Sequence, residues 1–322
     1  MNDAYFSAFS LLQISDKQIW RRVRQRFSSC LSFSLLFYAF IFTTTLPLPV
    51  LASNYLYEFE FAETLKKQIP EQEFVWLKTD SPRDTLALFR ESESGELRGT
   101  AIILSDLGKH PDWPNVIHDL RYALPAHDWS TLSVQMPVDV DINSNNDSNR
   151  AYQTIKKRLT AAIAHIENTN PGYVAIIARG KSANFAIRFV SESQNEATAA
   201  KALVFISAYD TPHLTSSDYM KNIAAPMLDI FAEKDQPNVL KSAKKRNIAA
   251  RFAAKLRSSP QNLYSSRKVQ ELALNKSGNL RFRQIIIPGA NGLFTAQKKQ
   301  LVKAIRGWLQ VHTTKKRTVA SQ

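Results

Sequence analysis

Three side chains of this 322-residue sequence could together perform nucleophilic catalysis. Ser182 supplies a hydroxyl, His110 an imidazole that could accept its proton, and Asp235 a carboxylate that could orient the imidazole. A serine attacks a carbonyl only when such a base lies within hydrogen-bond reach and is itself held by a third group. The residues therefore raise the hypothesis of an esterase-like hydrolase. This hypothesis requires strands and helices that bring the three side chains together.

Those elements are predicted by alternating apolar and amphipathic stretches that begin near residue 74. Residues 74–78 and 85–91 flank an Asp-Ser-Pro turn and predict a hairpin. Helix-length stretches separate the later strands, which implies right-handed crossovers and an α/β fold: a mostly parallel sheet with helices on both faces. The later strands are predicted at 100–104, 131–135, 173–177, 202–207, 227–231 and 284–287, the helices at 113–127, 152–166, 182–190, 239–256 and 296–311, and polar loops at 139–150 and 208–222.

Two segments carry a family resemblance: residues 104–114, LSDLGKHPDWP, and residues 123–133, ALPAHDWSTLS. Shorter matches are ISAYD at 206–210, PMLDI at 226–230 and IPGA at 287–290. In this ordered set, which covers about residues 55–312, the chain resembles exported bacterial α/β-hydrolase-like proteins of unassigned function. The resemblance implies the α/β-hydrolase fold, but a fold does not imply an activity.

The resemblance also places the catalytic positions of that fold. In active members a sharp strand-to-helix turn presents a serine, between small residues two positions away on either side. Here Ala178 and Ser182 keep the small flanks, but the nucleophile position is Gly180. Asp235 fills the acid position, and Gly292 stands where the base would follow the last strand. The resemblance therefore implies a degenerate triad and a non-catalytic protein that binds a ligand or partner in the old cleft.

An alternative function remains open: an envelope serine hydrolase that uses Ser182 as a displaced nucleophile, with His110 and Asp235. Each residue also has a structural interpretation. Asp235 could cap a helix or pair with Lys234 or Lys241, and His110 could cap its own turn. Ser182 could be the small residue that the first helical turn needs for packing.

The predicted cleft residues lie after the strand that ends at Leu104 and near Arg179. They are Ser105, Asp106, His110, Arg179, Gly180 and Lys181. The amides at the start of the following helix, beside Arg179 and Lys181, could hold a small anion. The histidines lack metal-ligand spacing, so no metal is expected, and Gly180-Lys181-Ser182 is too incomplete a P-loop to predict a nucleotide or another cofactor.

The N-terminal segment predicts export. Four arginines between residues 21 and 26 precede an almost uncharged run, 31–52, which ends in Val50-Leu51-Ala52. This order is typical of a signal peptide, and its borderline length leaves an N-terminal membrane anchor as the alternative. We therefore predict a leader at 1–52, an α/β-hydrolase-like domain at 53–313, a basic disordered tail at 314–322, and a periplasmic or envelope location.

The charge of the chain predicts anionic partners. The formal net charge is +14, and removing 1–52 takes away five basic and two acidic residues, leaving +11. For an exported protein this favours an anionic envelope component or a membrane surface, with solubility alone as the alternative. Nucleic acid is the weaker interpretation because no known binding motif is present. The other candidate surface is the basic helix predicted at 239–256, for which a sheet-packed helix with a solvated cationic face is the alternative. Its apolar stripe, Ile248, Phe252 and Leu256, is accompanied by the cations Lys241, Lys244, Lys245, Arg246, Arg251, Lys255 and Arg257.

Overall fold

The computed structural model describes residues 51–79, 83–94, 97–138, 140–193, 200, 202–258 and 282–313. The leader up to residue 50, the turn at 80–82 and the predicted tail at 314–322 lie outside this part of the chain. Within the described ranges, no helix combines the length and the apolarity needed to cross a bilayer.

The described strands form one eight-stranded sheet in the order β1-β2-β4-β3-β5-β6-β7-β8. The predicted hairpin is confirmed, because β1 pairs antiparallel with β2, and β2 also runs antiparallel to β4. All remaining pairs are parallel, as the helical crossovers predicted. The strands are β1 Phe74–Leu77, β2 Thr85–Arg90, β3 Gly99–Leu104, β4 Trp129–Val134, β5 Tyr173–Arg179, β6 Ala202–Ile206, β7 Met227–Lys234 and β8 Phe282–Asn291.

Helices cover both faces of the sheet. Successive residues of β5 point to opposite faces, so that Ile176 joins one core and Ile177 the other. Strands that are buried on both sides need continuous apolar runs, so the sequence predicts these strands directly. The described helices are α1 Leu51–Leu65, α2 Val116–Ala123, α3 Asn145–Thr169, α4 Ser182–Glu192, α5 Ser216–Met220, α6 Pro237–Ser258 and α7 Lys298–Thr313. Residues of α3 and α4 pack in the first core, and those of α2 and α7 pack in the second.

The predicted loop at 139–150 is wrong in its second half, because α3 begins at Asn145. Ser144 is the N-cap of this helix, and its hydroxyl accepts a hydrogen bond from the Asp147 amide at 3.1 Å. Asparagine and serine favour loops and helix caps for the same reason, since their side chains bond to nearby backbone amides. The predicted loop at 208–222 likewise contains the short helix α5.

The orientation predicted for α6 is also wrong. Ile248, assigned to the apolar stripe, is 61% exposed, whereas Arg246, assigned to the cationic surface, is fully buried. The guanidinium of Arg246 meets the equally buried carboxylate of Asp229 on β7 at 2.8 and 3.0 Å. A buried carboxylate requires a paired cation, and this requirement sets the rotation of the helix.

Candidate functional site

The turn between β5 and α4 has the sharp form that the sequence predicted. Gly180 adopts a left-handed conformation with φ of 58°, and its amide donates to the Ile206 carbonyl at 3.0 Å. Ala178 and Ser182 are fully buried, because strands and helix approach closely there. The predicted nucleophile position therefore lies at the carboxyl edge of the sheet, where the ends of parallel strands meet.

The space beside Gly180 is occupied by the carboxylate of Asp106, which follows β3. A Cβ atom added to Gly180 would lie 2.3 Å from Asp106 Oδ2. Asp106 Oδ1 accepts hydrogen bonds from the amides of Lys181 and Leu107, both at 2.9 Å. In an active hydrolase of this fold, the amide following the nucleophile stabilises the oxyanion. Here a carboxylate of the chain itself is bound to that amide.

Burial raises the pKa of Asp106 above its ordinary value. The amides of Lys181 and Leu107, followed by the charges of Lys181 and Arg179, counteract part of this rise because they stabilise the ionised form. Burial and the Asp106 charge also raise the pKa of Tyr209 to about 12. At the edge of the sheet, backbone amides and nearby cations thus offset part of the cost of burying the ionised Asp106 carboxylate.

The predicted acid and base positions are adjacent in space. A Cβ atom added to Gly292 would lie 2.9 Å from Asp235 Oδ1, so a side chain at position 292 would contact that carboxylate. Asp235 Oδ2 accepts from the Ser207 hydroxyl at 2.5 Å, and Oδ1 accepts from the Gln236 amide at 2.9 Å. Asp235 therefore caps the turn into α6. Among the described residues it forms no ion pair with Lys234 or Lys241.

A cavity of about 290 Å³ opens between these residues, and we call it the cleft. Of the predicted cleft residues, Asp106, Arg179 and Gly180 line it. Arg179 donates to the Gly292 carbonyl at 2.7 Å and so bridges the predicted nucleophile and base positions. Burial lowers the pKa of Arg179, opposed by the charges of Asp106 and Asp235, but a guanidinium remains protonated in a protein.

Ser207 and Tyr209 line the cleft but were absent from the predicted site. Both follow β6, and Ser207 has a left-handed backbone with φ of 47°. The signal that could have identified them was their position directly after a buried strand, next to the strand β5 that leads into the turn at Gly180. Lys234 and Asn291, which end β7 and β8, line the cleft for the same reason.

Ser105 and His110 form hydrogen bonds within the loop that follows β3. The Ser105 hydroxyl donates to the Lys109 carbonyl at 3.0 Å, and His110 Nδ1 accepts from the Asp112 amide at 3.2 Å. The His110 ring packs between Phe61 and Trp113, with ring centroids 5.4 and 5.0 Å apart. Burial lowers its pKa, although the nearby charge of Asp112 acts in the opposite direction.

Ser182, the displaced nucleophile of the alternative hypothesis, is fully buried in the first turn of α4. Its hydroxyl has no hydrogen-bond partner among the described residues. None of the hydrogen bonds of the described residues joins Ser182, His110 and Asp235 to one another. A catalytic role for these three residues stays a prediction. No group of metal-ligating side chains occurs within the described ranges either.

The fold and the sharp turn at Gly180 define the class of protein, which is α/β-hydrolase-like. The structure is similar to Est1E from Butyrivibrio proteoclasticus, with a TM-score of 0.54 and 10% identity over 76% of this chain and 100% of that one. It is also similar to the esterase domain of a Rhodothermus marinus protein, with a TM-score of 0.52 and 10% identity over 75% of this chain and 99% of that one. At such low identity, these similarities define the fold alone.

The family is established by the sequence itself. Residues 57–151 and 140–311 match the family described as protein of unknown function (DUF3530), so the chain belongs to that family. Comparison with curated proteins gave no match. The resemblance to an α/β-hydrolase-like family of unknown function is therefore confirmed, while the activity remains to be inferred from the site.

Proposed function

We propose that this protein is an exported α/β-hydrolase-fold protein that binds a small polar ligand in the cell envelope without hydrolysing it. The observation that carries the proposal is the Asp106 carboxylate, which fills the space beside Gly180 and accepts from the Lys181 amide. A nucleophile and an oxyanion would need those same two places.

The absence of side chains at the two glycines removes the proton transfer as well. Gly180 has no atom that can attack a carbonyl, and Gly292 has no base that could receive a proton. Asp235 is left to hold Ser207 and the Gln236 amide. The acid of the former triad thus acts as a structural cap beside the cleft.

The cleft retains groups that suit recognition. Asp106 Oδ2 has no hydrogen-bond partner among the described residues and is free to accept from a ligand. Arg179 has donors beyond the one used on Gly292, and Lys234 stands exposed at the rim. Because acceptor and donor groups of opposite charge share about 290 Å³, the cleft suits a small molecule that carries both an amine or hydroxyl and an anionic group.

Export is supported by the arginine-rich start and the apolar run at 31–52. Cys30 is the one cysteine of the chain, so removal of this segment would leave a mature protein without thiols, which suits an oxidising compartment. Detection of a new N-terminus at Ser53 after expression in a bacterial host would test the cleavage, and an intact chain in the membrane fraction would contradict it.

The absence of hydrolysis is tested with a fluorophosphonate probe and short-chain acyl esters. The wild type, Ser182→Ala and Ser105→Ala are compared, since both variants remove a fully buried serine hydroxyl. We expect no labelling and no turnover in any of the three proteins. Labelling of the wild type that is lost in Ser182→Ala but kept in Ser105→Ala would establish the displaced nucleophile and refute the proposal.

Ligand binding is tested by NMR on isotope-labelled protein mixed with a low-molecular-weight envelope extract. We expect shifts of the Gly180 and Gly292 amide signals, because both glycines line the cleft. Arg179→Met should abolish these shifts, whereas Lys244→Met, at an exposed position outside the cleft, should leave them unchanged. Unchanged spectra for the wild type would contradict binding in the cleft.

A further inference from the structure

A second cavity, of about 520 Å³, lies between α2 and α7 and shares no lining residue with the cleft. We call it the basic groove. Helix α7 contributes Lys298, Lys299, Lys303 and Arg306 to its lining, and α2 contributes a single carboxylate, Asp119. Four cations face one carboxylate, so the groove is strongly electropositive.

Most of this charge is uncompensated within the described residues. Lys298 lies 3.6 Å from Asp119, but Lys299, Lys303 and Arg306 form no ion pair in this part of the chain. Arg306 Nη1 instead lies 3.2 Å from His127 Nδ1. An imidazole carries no negative charge, so His127 contacts the guanidinium without neutralising it.

The placement of the cations has a cost for the helix. Lys299, Lys303 and Arg306 are spaced by four and three residues and therefore stand on one side of α7, where like charges repel. The helix cannot turn this side away, because Leu301, Ile305 and Leu309 are buried in the core beneath it. A bound anion would relieve the repulsion that the fold enforces.

The groove also offers apolar surface. Tyr122 and Ala123 from α2 and Val302 from α7 line it beside the cations. A ligand that contacts both the cations and the apolar lining would carry a multiply charged anionic group on a carbon skeleton. A phosphate monoester carries close to two negative charges at neutral pH, and its oxygens match the forked donors of a guanidinium.

We propose that the basic groove binds the phosphate monoester of a small organic ligand, with Arg306 and Lys303 on the phosphate and Val302 and Tyr122 against the organic part. The site is independent of the cleft and does not rest on its proposed function. The same phosphate chemistry occurs free in solution and on a lipid head group, and the concave shape favours the soluble form.

The test is calorimetric titration of the full-length protein with phenyl phosphate at fixed ionic strength. Arg306→Gln should weaken binding roughly 10- to 100-fold, because a charge-assisted hydrogen-bond partner is lost. Lys303→Gln should weaken it in the same direction. Lys244→Gln changes the net charge equally at an exposed position outside the groove and should leave the affinity unchanged.

Two outcomes would overturn the proposal. Equal weakening by Lys244→Gln and Arg306→Gln would mean that phenyl phosphate responds to net charge rather than to a site. In a parallel experiment, the protein is mixed with vesicles containing phosphatidic acid in neutral phospholipid. Binding to these vesicles without binding to phenyl phosphate would assign the groove to a membrane surface instead.

Discussion

Gly180 and Asp106 occupy one small space that an active enzyme would need for two purposes. The glycine leaves room for the carboxylate, and the carboxylate uses the amide that would otherwise stabilise an oxyanion. We expect that changing only one of these two residues would not create an active site. A serine at position 180 would meet Asp106, and a chain lacking Asp106 would still have no nucleophile at the turn.

The cost of crowding between Gly180 and Asp106 can be measured by comparing alanine substitutions at Gly180 and at a second glycine. Gly108 is also left-handed, with φ of 75°, but a Cβ atom added there would meet nothing within 4 Å. Gly108→Ala should therefore lose about 1–2 kcal/mol of unfolding free energy from backbone strain alone. Gly180→Ala should lose about 1–3 kcal/mol more, because its methyl group overlaps Asp106. Urea unfolding of both variants checks the difference, and equal losses would show that the overlap is relieved at no cost.

The raised pKa of Asp106 predicts a pH dependence of stability. Its folded-state pKa lies above the ordinary value of 3.8, so the folded protein holds this proton more tightly than the unfolded chain. The wild type should therefore lose stability relative to Asp106→Asn as pH rises from 3.8 through the raised pKa, and the difference should level off above it. Urea unfolding of both proteins across the acid range measures this trend.

The control for that experiment is Asp141→Asn, which removes a carboxylate at an exposed position. It should not reproduce the pH-dependent difference seen with Asp106→Asn. A stability difference that grows in favour of the wild type as pH rises would contradict the raised pKa.

At the scale of elements, α6 is held to the sheet by charge as well as by apolar packing. Arg246 donates two hydrogen bonds to Asp229 and a third to the Ala208 carbonyl at 3.0 Å. Gln284 on β8 adds a hydrogen bond to Asp229 at 2.8 Å. The pair therefore links α6 to the two strands whose carboxyl ends carry Asp235 and Asn291 at the cleft.

Removing the cation from this pair should be strongly destabilising. Arg246→Met leaves the Asp229 charge buried without its partner and should lower the unfolding free energy by about 3–5 kcal/mol. Lys245→Met changes the neighbouring exposed lysine and should stay within about 0.5 kcal/mol of the wild type. Denaturant unfolding measures both, and a small effect of Arg246→Met would mean that Gln284 alone compensates the carboxylate.

At the scale of the domain predicted at 53–313, α1 packs against the antiparallel hairpin of β1 and β2. Its residues Ala62 and Leu65, followed by Ile69, pack with Leu86 and Leu88 of β2 in a small core of their own. The carboxylate of Glu58 also reaches Arg158 on α3 at 2.9 Å. The residues of α1 named here all follow Ala52, where the predicted leader ends.

Two shortened chains test whether α1 belongs to the folded domain. A chain that starts at Ser53 keeps all of these contacts and should unfold at the same urea concentration as the full-length protein. A chain that starts at Pro70 exposes the surface under Leu65 and Ile69 and should lose about 3–6 kcal/mol. Equal stability of the two shortened chains would show that α1 does not contribute to the domain.

Most strands and helices could be predicted from the sequence because each has a local cause. The parallel strands are buried on both faces, so they are uninterrupted apolar runs, and α7 shows its buried residues at helical spacing. The errors arose where one local signal has two meanings. The Asn-rich segment near Ser144 is compatible with either a loop or a helix cap. Which of the two forms depends on whether the following residues continue as a helix.

By itself the sequence determined the α/β fold, the turn at Gly180 and the lack of side chains at Gly180 and Gly292, because periodicity and residue type are local properties. Tertiary structure alone decided that Asp106 fills the space at Gly180, and that Arg246 turns inward to Asp229 rather than outward to solvent. The physical reason is that an unpaired charge is costly to bury. Its partner is the group that the folded chain places beside it, and that group need not be close in sequence.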